Sequence, residues 1–315
     1  MLTSSYCGSC SVTFSNSSDC PFKFLQLLEL VYPKGHPLVN NVLGSDDSLT
    51  KITIEDLKAY HKQNIAPQLA KLYVAGAVKH NQIKQSLAQL TRDWQSTSST
   101  LPALPEPTKP SSAQVYFYDI PGAKQSTLLI GQPSLKANDP NYFKAGVMNY
   151  MLGGGGFASR LTQEVRANKG YTYGIRSKFN ASSRSSLFEI KTNVRSNVTV
   201  ESLMLTKDIV EQYANTFSQA DLATTKSYYK KSNARRFETL GAKMNLLEQI
   251  GALNLPHNFI QQQSEQLESL TVKEIQTLAQ QHIIPNRLIY IVVGDAKTQA
   301  KRLDKLGLGE VVMLN

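Results

Sequence analysis

The chain repeats one 25-residue pattern at two places, residues 53–77 and residues 271–295. Each copy begins with a threonine three residues before an acidic side chain, Asp56 in the first and Glu274 in the second. This spacing is typical of a capping box, in which the two side chains bond free backbone N–H groups at a helix start. An apolar face at helical spacing follows in both copies: Ile54, Leu57 and Tyr60 in the first, and Val272, Ile275 and Leu278 in the second.

Both copies then change from helix to strand. Pro67 and Pro285 predict the helix ends, and an apolar strand is predicted after each proline, ending at Gly76 and Gly294. A duplicated domain of roughly 200 residues explains the repeat. Because only 52 residues precede the first copy, we expect its domain to lack the N-terminal half.

Composition sets the class of protein. The 315 residues suffice for about two domains, and 41% apolar with 18% charged residues is typical of a soluble globular protein. No apolar run approaches the roughly 20 residues of a membrane span. The start lacks the basic and apolar regions of a secretory signal, and cytoplasmic and periplasmic locations both stay open.

The net charge of +10 raises the question of acidic partners. A basic stripe on one predicted helix could attract nucleic acid, an anionic surface or an acidic peptide, or could be a solvated helix face. No nucleic-acid signature accompanies it, so we expect no nucleic-acid partner. The stripe consists of Lys226, Lys230, Lys231, Arg235 and Arg236.

The three cysteines lie in the first 20 residues. Cys7, Cys10 and Cys20, with His36 beyond, offer zinc-ligand chemistry, but their spacing fits none of the common finger patterns. The odd count also argues against a closed disulfide framework. We expect a polar tail here rather than a metal site.

The chain divides into four predicted stretches. Residues 1–24 form an unassigned tail, and residues 25–95 form the C-terminal half of a first domain. Residues 96–113 are a Pro/Ser-rich linker. Residues 114–315 are predicted to form one complete domain.

Strands and helices in the complete domain do not alternate as in a parallel βαβ fold. Strands are predicted at QVYFYDI, STLLIGQP, YTYGIRSKFN and SLFEIKTNV, and helices at residues 141–152, 158–168, 200–215 and 219–250. The fold class is therefore α+β, with an antiparallel-rich sheet and helices packed on one side.

The glycine run is the first candidate site. Gly153, Gly154, Gly155 and Gly156 permit positive φ angles and a close backbone approach. A phosphate-binding loop would need Gly-Lys-Ser/Thr at its end, and Phe157 follows instead. Two interpretations remain, a flexible turn between helices and contact with an extended peptide.

Arg166 and Tyr173 are the second candidate site. Arg166 is predicted at a helix end, and Tyr173 at an inward-facing strand position on the same face as Tyr171. An arginine beside a tyrosine can hold a peptide carbonyl by hydrogen bonds. The alternative is a surface arginine and a half-buried sheet tyrosine.

Histidine spacing excludes a common zinc motif. No two of the five histidines stand three or four residues apart, so no single helix offers two imidazoles to a metal. Serine, cysteine and carboxylate constellations with catalytic spacing are also absent from the sequence. No hydrolytic centre follows from its motifs.

Two segments resemble the pitrilysin/insulinase-type zinc metallopeptidases. Residues 31–78, which begin with VYPKGHPLVNNVLG, resemble the second half of the family's catalytic domain. The segment MLGGGGFASRLTQEVRANKGYTYGIRS is similar to the family's second, catalytically silent domain. The resemblance covers residues 31–315 and implies two similar halves facing each other around a chamber.

The resemblance also implies a division of labour. The first half of such peptidases carries an inverted His-x-x-Glu-His zinc motif, and the second half supplies an arginine and a tyrosine that hold the substrate. Those two match Arg166 and Tyr173. The zinc motif is absent from this sequence, so zinc is expected only on a missing catalytic half or a partner, and this chain alone is expected to be inactive.

The leading hypothesis is a substrate-binding portion of such a peptidase. It would hold an extended peptide, by strand addition and the Arg166/Tyr173 clamp, for a zinc-bearing half or subunit. The alternative is a structural or chaperone-like relative with no role in hydrolysis. The incomplete first domain also predicts exposed apolar surface and self-association.

Overall fold

The computed structural model describes residues 27–94, 103–183, 186–233 and 237–315. The tail predicted at residues 1–24, with its three cysteines, lies outside these ranges, as do Arg235 and Arg236 of the basic stripe. Within the described ranges, no helix combines the length and the apolar character needed to cross a bilayer.

The first copy of the repeat lies in a series of short helices. Helix α1 occupies residues 27–31. It is followed by α2 (Asp46–Leu49), α3 (Ile54–Asn64), α4 (His80–Ser86) and α5 (Ala88–Asp93). The predicted capping box starts α3, since the Asp56 N–H donates to Thr53 Oγ1 at 3.2 Å and the Thr53 N–H donates to Asp56 Oδ2 at 2.9 Å.

The strand predicted after Pro67 is wrong. Residues 70–77 form no strand. A strand needs a hydrogen-bonding neighbour, and the described part of the chain places none beside this segment. Lys71 instead donates to the Gly251 carbonyl and, at 3.0 Å, to Asn254 Oδ1, which ties the segment to the second part of the molecule.

The second part contains a six-stranded sheet and most of the long helices. In chain order the elements are β1 (Gln114–Asp119), β2 (Gln125–Gln132), α6 (Tyr142–Asn149), β3 (Thr172–Ala181), β4 (Ser186–Arg195), α7 (Thr199–Thr216), α8 (Gln219–Asn233), α9 (Leu240–Leu253), α10 (Phe259–Ser269), α11 (Val272–His282), β5 (Ile289–Gly294), α12 (Ala296–Gln299) and β6 (Val312–Met313).

The four strands predicted in residues 114–195 are confirmed, and the helix predictions need three corrections. The helix predicted over residues 158–168 is mostly a π-helix, Thr162–Asn168. The helix predicted over residues 219–250 is two helices, α8 and α9, and α10 follows before the repeat. The helix predicted over residues 141–152 keeps α-helical geometry only to Asn149 and continues as a π-helix, Tyr150–Gly154.

The sheet is mixed, with strand order β3-β4-β2-β5-β1-β6. Strands β3, β4, β2 and β5 pair antiparallel in that order, whereas β1 runs parallel to both β5 and β6. The predicted α+β class with an antiparallel-rich sheet is confirmed. Strand β3 is one edge of this sheet, and the candidate site lies next to it.

Apolar side chains cover both faces of the central strands. Every residue of β5 is buried, because Tyr290 and Val292 join the core under the long helices while Ile289, Ile291 and Val293 pack on the opposite face. Helix α1 covers that opposite face with Leu27, Leu28 and Val31. The helices therefore lie mainly on one side, as predicted, with α1 added on the other.

The two copies of the repeat differ in burial. Ile275 in α11 is 0% exposed and packs in the core, whereas Leu57, its counterpart in α3, is 55% exposed. Ile54 and Tyr60 are also exposed. The apolar face of α3 is thus present without the packing that the same face has in α11.

Candidate functional site

Two π-helices flank the glycine run. The first, Tyr150–Gly154, continues α6, and the second, Thr162–Asn168, leads to β3. A π-helix shifts hydrogen bonding from the fourth to the fifth residue and occurs frequently at functional sites. The turn between these two π-helices is therefore the candidate functional site.

The four glycines are required by packing and backbone conformation. A Cβ on Gly153 would lie 2.4 Å from Ser177 Oγ and 2.6 Å from the Ser177 N, and one on Gly155 would lie 2.7 Å from the Tyr150 carbonyl oxygen. Gly156 has φ +58°, which disfavours other residues. Gly153 is buried against β3, while Gly154 is exposed and Gly155 and Gly156 are partly exposed.

The outer edge of β3 is bonded to side chains of this segment. Asn149 Nδ2 donates to the Ser177 carbonyl at 2.9 Å. Thr162 Oγ1 donates to the Ile175 carbonyl at 3.2 Å, and Tyr142 OH to the Phe179 carbonyl at 3.2 Å. These contacts occupy the outward-facing carbonyls of Ile175, Ser177 and Phe179, so a peptide cannot add to this stretch of β3 without displacing them.

The segment after the glycines is anchored by Arg160. Its guanidinium donates to Asp221 Oδ2 at 2.7 Å and to the Thr216 carbonyl at 2.8 Å, and its Cζ lies 5.1 Å from the Tyr213 ring centroid. Asp221 also accepts from the Ser218 N–H at 2.8 Å. Arg160 therefore fixes the second π-helix to α7 and α8.

Arg166 is presented differently from Arg160. It is half-buried on the second π-helix, and its Cζ lies 4.6 Å from the ring centroid of the exposed Phe157. Among the described residues, no carboxylate forms an ion pair with this guanidinium. Its charge is available to a ligand, and the aromatic ring restricts its orientation.

The prediction that Tyr173 faces inward is wrong, since the side chain is 94% exposed. The register of β3 against β4 shifts between Thr172 and Ile175, and this bulge turns Tyr173 outward. Thr172 Oγ1 holds the bulge by accepting from the Gly174 N–H at 3.0 Å. The alternative of a half-buried sheet tyrosine is also excluded.

The structure places the sequence-predicted residues on two consecutive segments. Gly154–Gly156 and Arg166 lie on the segment that runs from the end of the first π-helix through the turn to the second, and Tyr173 lies at the start of β3. The Tyr171 N–H donates to the Val165 carbonyl at 3.0 Å, which ties the start of β3 to the helix that carries Arg166. Tyr171, unlike Tyr173, packs partly against the core.

Of the four residues considered for zinc, only His36 lies in the described ranges. In those ranges no group of three or more His, Cys, Asp or Glu side chains comes close enough to hold a metal. His36 is buried, stacks on Tyr32 with ring centroids 4.4 Å apart, and accepts the Leu38 N–H at Nδ1. The three cysteines lie outside the described ranges.

The basic stripe on α8 is partly engaged within the molecule. Lys226 Nζ donates to the Glu268 carbonyl at 2.7 Å, and Lys230 forms an ion pair with the Glu268 carboxylate at 2.7 Å. The pKa of Glu268 is lowered, first by its hydrogen bond from Lys230. Both lysines thus attach α8 to α10 instead of forming a free cationic surface.

Sequence reasoning missed a cavity beside the glycine turn. It measures about 740 Å³ and lies between α6, β3, α8 and α10. Tyr150 and Tyr228 stack there with centroids 4.4 Å apart, and burial, followed by the nearby Tyr228, raises the pKa of Tyr150. Adjacent tyrosines at positions 228 and 229 were the available signal, but only the fold brings them opposite β3.

A family model described as the peptidase M16 inactive domain matches residues 51–229. The match begins two residues before the first copy of the repeat, crosses the predicted linker and ends in α8. It thus includes the glycine run, Arg166 and Tyr173, and it covers more than half of the chain.

Curated relatives show the same affiliation. The chain is 26% identical over 263 residues to the non-peptidase homolog YmxG of Helicobacter pylori, covering 83% of this chain and 60% of that protein. It is 22% identical over 271 residues to the uncharacterized zinc protease SCO5738 of Streptomyces coelicolor, covering 83% and 58%. The chain therefore spans about 60% of the length of these relatives.

Solved structures share the fold. The peptidase M16 inactive domain from Pseudomonas fluorescens superposes with a TM-score of 0.78 at 24% identity, over 87% of this chain and 65% of that one. A chain of complex III2 from Candida albicans superposes with a TM-score of 0.70 at 13% identity, over 88% and 67%. By fold and by sequence, the chain belongs to the family of the peptidase M16 inactive domain, and the resemblance to zinc metallopeptidases is confirmed.

Proposed function

We propose that this chain is the non-catalytic, substrate-binding portion of a zinc metallopeptidase. It holds an extended peptide for hydrolysis by a zinc-bearing half or partner chain. The observation that carries the proposal is the presentation of Arg166, a cation without an ion-pair partner among the described residues, next to an exposed glycine turn and an outward-facing Tyr173.

The chemistry of holding a peptide follows from these groups. The Arg166 guanidinium offers several N–H donors and the Tyr173 hydroxyl offers one, and a peptide carbonyl accepts from both. Gly154–Gly156 lack side chains that would keep a peptide backbone away. Because β3 is covered by its own chain along 175–179, the peptide is held by these side chains and the turn.

The described residues of this chain do not fit a catalytic zinc. The sequence lacks the His-x-x-Glu-His motif, and the described residues form no ligand cluster. Zinc on a partner would supply a water with a pKa near 7 for attack on the held carbonyl. The role of this chain is to position that carbonyl.

The test is binding of fluorescent extended peptides to the full chain. Arg166→Ala combined with Tyr173→Phe removes the proposed donors, and we expect about tenfold weaker binding. Lys169→Ala, which removes a neighbouring exposed cation, is the matched control. Equal affinity of the double variant and the wild-type chain would contradict the proposal.

Hydrolysis is tested with the partner present. Affinity purification of the chain from its source should recover a subunit with the zinc motif, and adding that subunit should give peptide cleavage that the double variant impairs. Cleavage unchanged by the double variant would exclude the clamp role.

A second candidate function, a structural or chaperone-like binding role, is favoured by the exposed apolar face of α3. The Helicobacter relative is named a non-peptidase homolog, and this name also favours the second candidate function. A stable homo-oligomer that recruits no zinc-bearing subunit would favour this candidate over the first.

A further inference from the structure

The cavity beside the glycine turn has aromatic walls. Tyr150 and Tyr228 stack at 4.4 Å, and Phe143 meets Tyr229 edge to face at 5.8 Å. Tyr228 remains 48% exposed, so a flat apolar group can still contact its ring. Aromatic pairs favour such offset and edge-to-face contacts, and the cavity volume of about 740 Å³ lies within the range of ligand sites.

Three cationic side chains line the cavity, and one of them has no ion-pair partner among the described residues. Lys230 is paired with Glu268 at 2.7 Å and Lys178 with Glu189 at 2.9 Å. Arg176 also lines the cavity, and it has no ion-pair partner among the described residues. An anionic group of a ligand would therefore find its complement at Arg176.

The cavity adjoins the turn that is proposed to bind peptide. Gly154 lines the cavity, and the two terminal nitrogens of Arg176 lie 3.8 and 3.9 Å from where a Cβ on Gly156 would stand. Successive residues of an extended peptide are about 3.3 Å apart and point to opposite sides. A peptide held at the turn can thus place one side chain in the cavity and a carboxylate at Arg176.

We infer that the cavity is a specificity subsite for an aromatic side chain of the bound peptide, with a neighbouring carboxylate on Arg176. This inference rests on the proposed function, since it assigns the residue preference of the same peptide site. The carboxylate belongs either to an acidic side chain or to the C-terminus of the peptide, and the experiment separates these sources.

The experiment measures polarisation of labelled peptides about ten residues long. The first peptide contains Phe followed by Glu and has an amidated C-terminus. The second replaces Phe by Ala, and the third replaces Glu by Gln. The fourth lacks Glu and ends at Phe with a free C-terminal carboxylate. We expect about tenfold weaker binding on losing the ring or the carboxylate. If replacing Glu by Gln has no effect and only the fourth peptide binds more tightly, the C-terminal carboxylate is the group that binds; if Glu is required and the fourth peptide stays weak, it is the acidic side chain.

Variants of the cavity assign the effect to its residues. Tyr228→Ala should remove the preference for Phe while Tyr228→Phe keeps it, because the ring makes the contact. Arg176→Glu should invert the preference between Glu and Lys in the peptide. Lys301→Glu, the same charge change at an exposed distant position, should leave both preferences unchanged.

Failure of this inference differs from failure of the proposed function. If Arg166→Ala with Tyr173→Phe weakens all peptides equally while Arg176→Glu and Tyr228→Ala change no preference, the peptide site stands and the subsite is overturned. If no peptide binds but N-acetylphenylalanine binds and depends on Arg176, the subsite stands without the proposed function. Absence of both kinds of binding overturns both, and binding of AMP with the same dependence on Arg176 and Tyr228 overturns the assignment to peptides.

Discussion

Asn149 and Ser177 hold each other by two reciprocal hydrogen bonds at the edge of the sheet. Asn149 Nδ2 donates to the Ser177 carbonyl at 2.9 Å, and Ser177 Oγ donates to Asn149 Oδ1 at 2.5 Å. Both residues are buried. This pair fixes the end of α6 against β3, and the glycine turn takes its position from that contact.

Gly153→Ala should destabilise the fold by about 1–3 kcal/mol. The added Cβ would lie 2.4 Å from Ser177 Oγ and 2.6 Å from the Ser177 N, and the backbone of β3 cannot yield without breaking its bonds to Asn149. Gly174→Ala is the control, because its Cβ would meet nothing within 4 Å. Urea unfolding of both variants measures the difference, and equal midpoints would show that the close approach has no energetic consequence.

Arg160→Met should lower the free energy of unfolding by about 2 kcal/mol, because it leaves the Asp221 carboxylate without its ion-pair partner in a partly buried site. The two side chains are 23% and 15% exposed. Lys51→Met breaks a pair of similar distance whose side chains are 71% and 79% exposed, and should cost less than about 0.5 kcal/mol. A cost for Arg160→Met no larger than that of Lys51→Met would contradict the anchoring role.

His282 should make stability depend on pH between about 7.5 and 5.5. Burial lowers the pKa of His282 below its usual value, and the charge of Asp139 opposes this only in part. As pH falls through about 6.5, the unfolded chain binds the proton before the folded chain does, so stability falls. His282→Gln keeps the backbone carbonyl that accepts from Gln132 Nε2 at 2.8 Å.

Thermal unfolding at pH 7.5 and 5.5 checks this prediction. The wild-type chain should lose more stability on acidification than His282→Gln does. An identical loss in both would assign the pH dependence to other groups.

The exposed apolar face of α3 should mediate association. Leu57→Glu places a charge on that face, and we expect less self-association or weaker binding of the partner subunit, with little change in the unfolding midpoint. Met204→Glu is the control, because Met204 is an exposed apolar residue outside this face. Sedimentation velocity measures the result, and an unchanged distribution for Leu57→Glu would rule out the face as an interface.

The same substitution in the second copy has the opposite consequence. Ile275→Glu introduces a charge at a fully buried position and should prevent folding, because an unpaired buried charge is strongly destabilising. The two substitutions thus test the same sequence pattern where it is buried, in α11, and where it is exposed, in α3.

Local features followed from the sequence. Both capping boxes form as predicted, because the threonine and the acidic side chain that make each box are three residues apart on one helix turn. The four predicted strands and the α+β class are also confirmed. The glycine run and Arg166 were recognised from spacing, and whether they bind a substrate stays a prediction.

Features that depend on contacts between residues far apart in the chain could not be predicted from the sequence. Tyr173 was expected to face inward, but the bulge held by Thr172 turns it to solvent. The cavity was missed because Tyr228 and Arg176 come from a helix and a strand far apart in sequence. Strand addition was expected without a particular edge, and only the folded chain shows side chains of α6 and the second π-helix bonded to the edge of β3.

The sequence by itself determined where the two matching helices begin and which of their faces are apolar. The tertiary structure alone decided that Ile275 is core and Leu57 is surface. The physical reason is that a capping box needs partners three residues away, whereas burial needs a second surface. Residues 289–294 pair with β2 on one side and β1 on the other. Residues 70–77 pair with no strand in the described part of the chain.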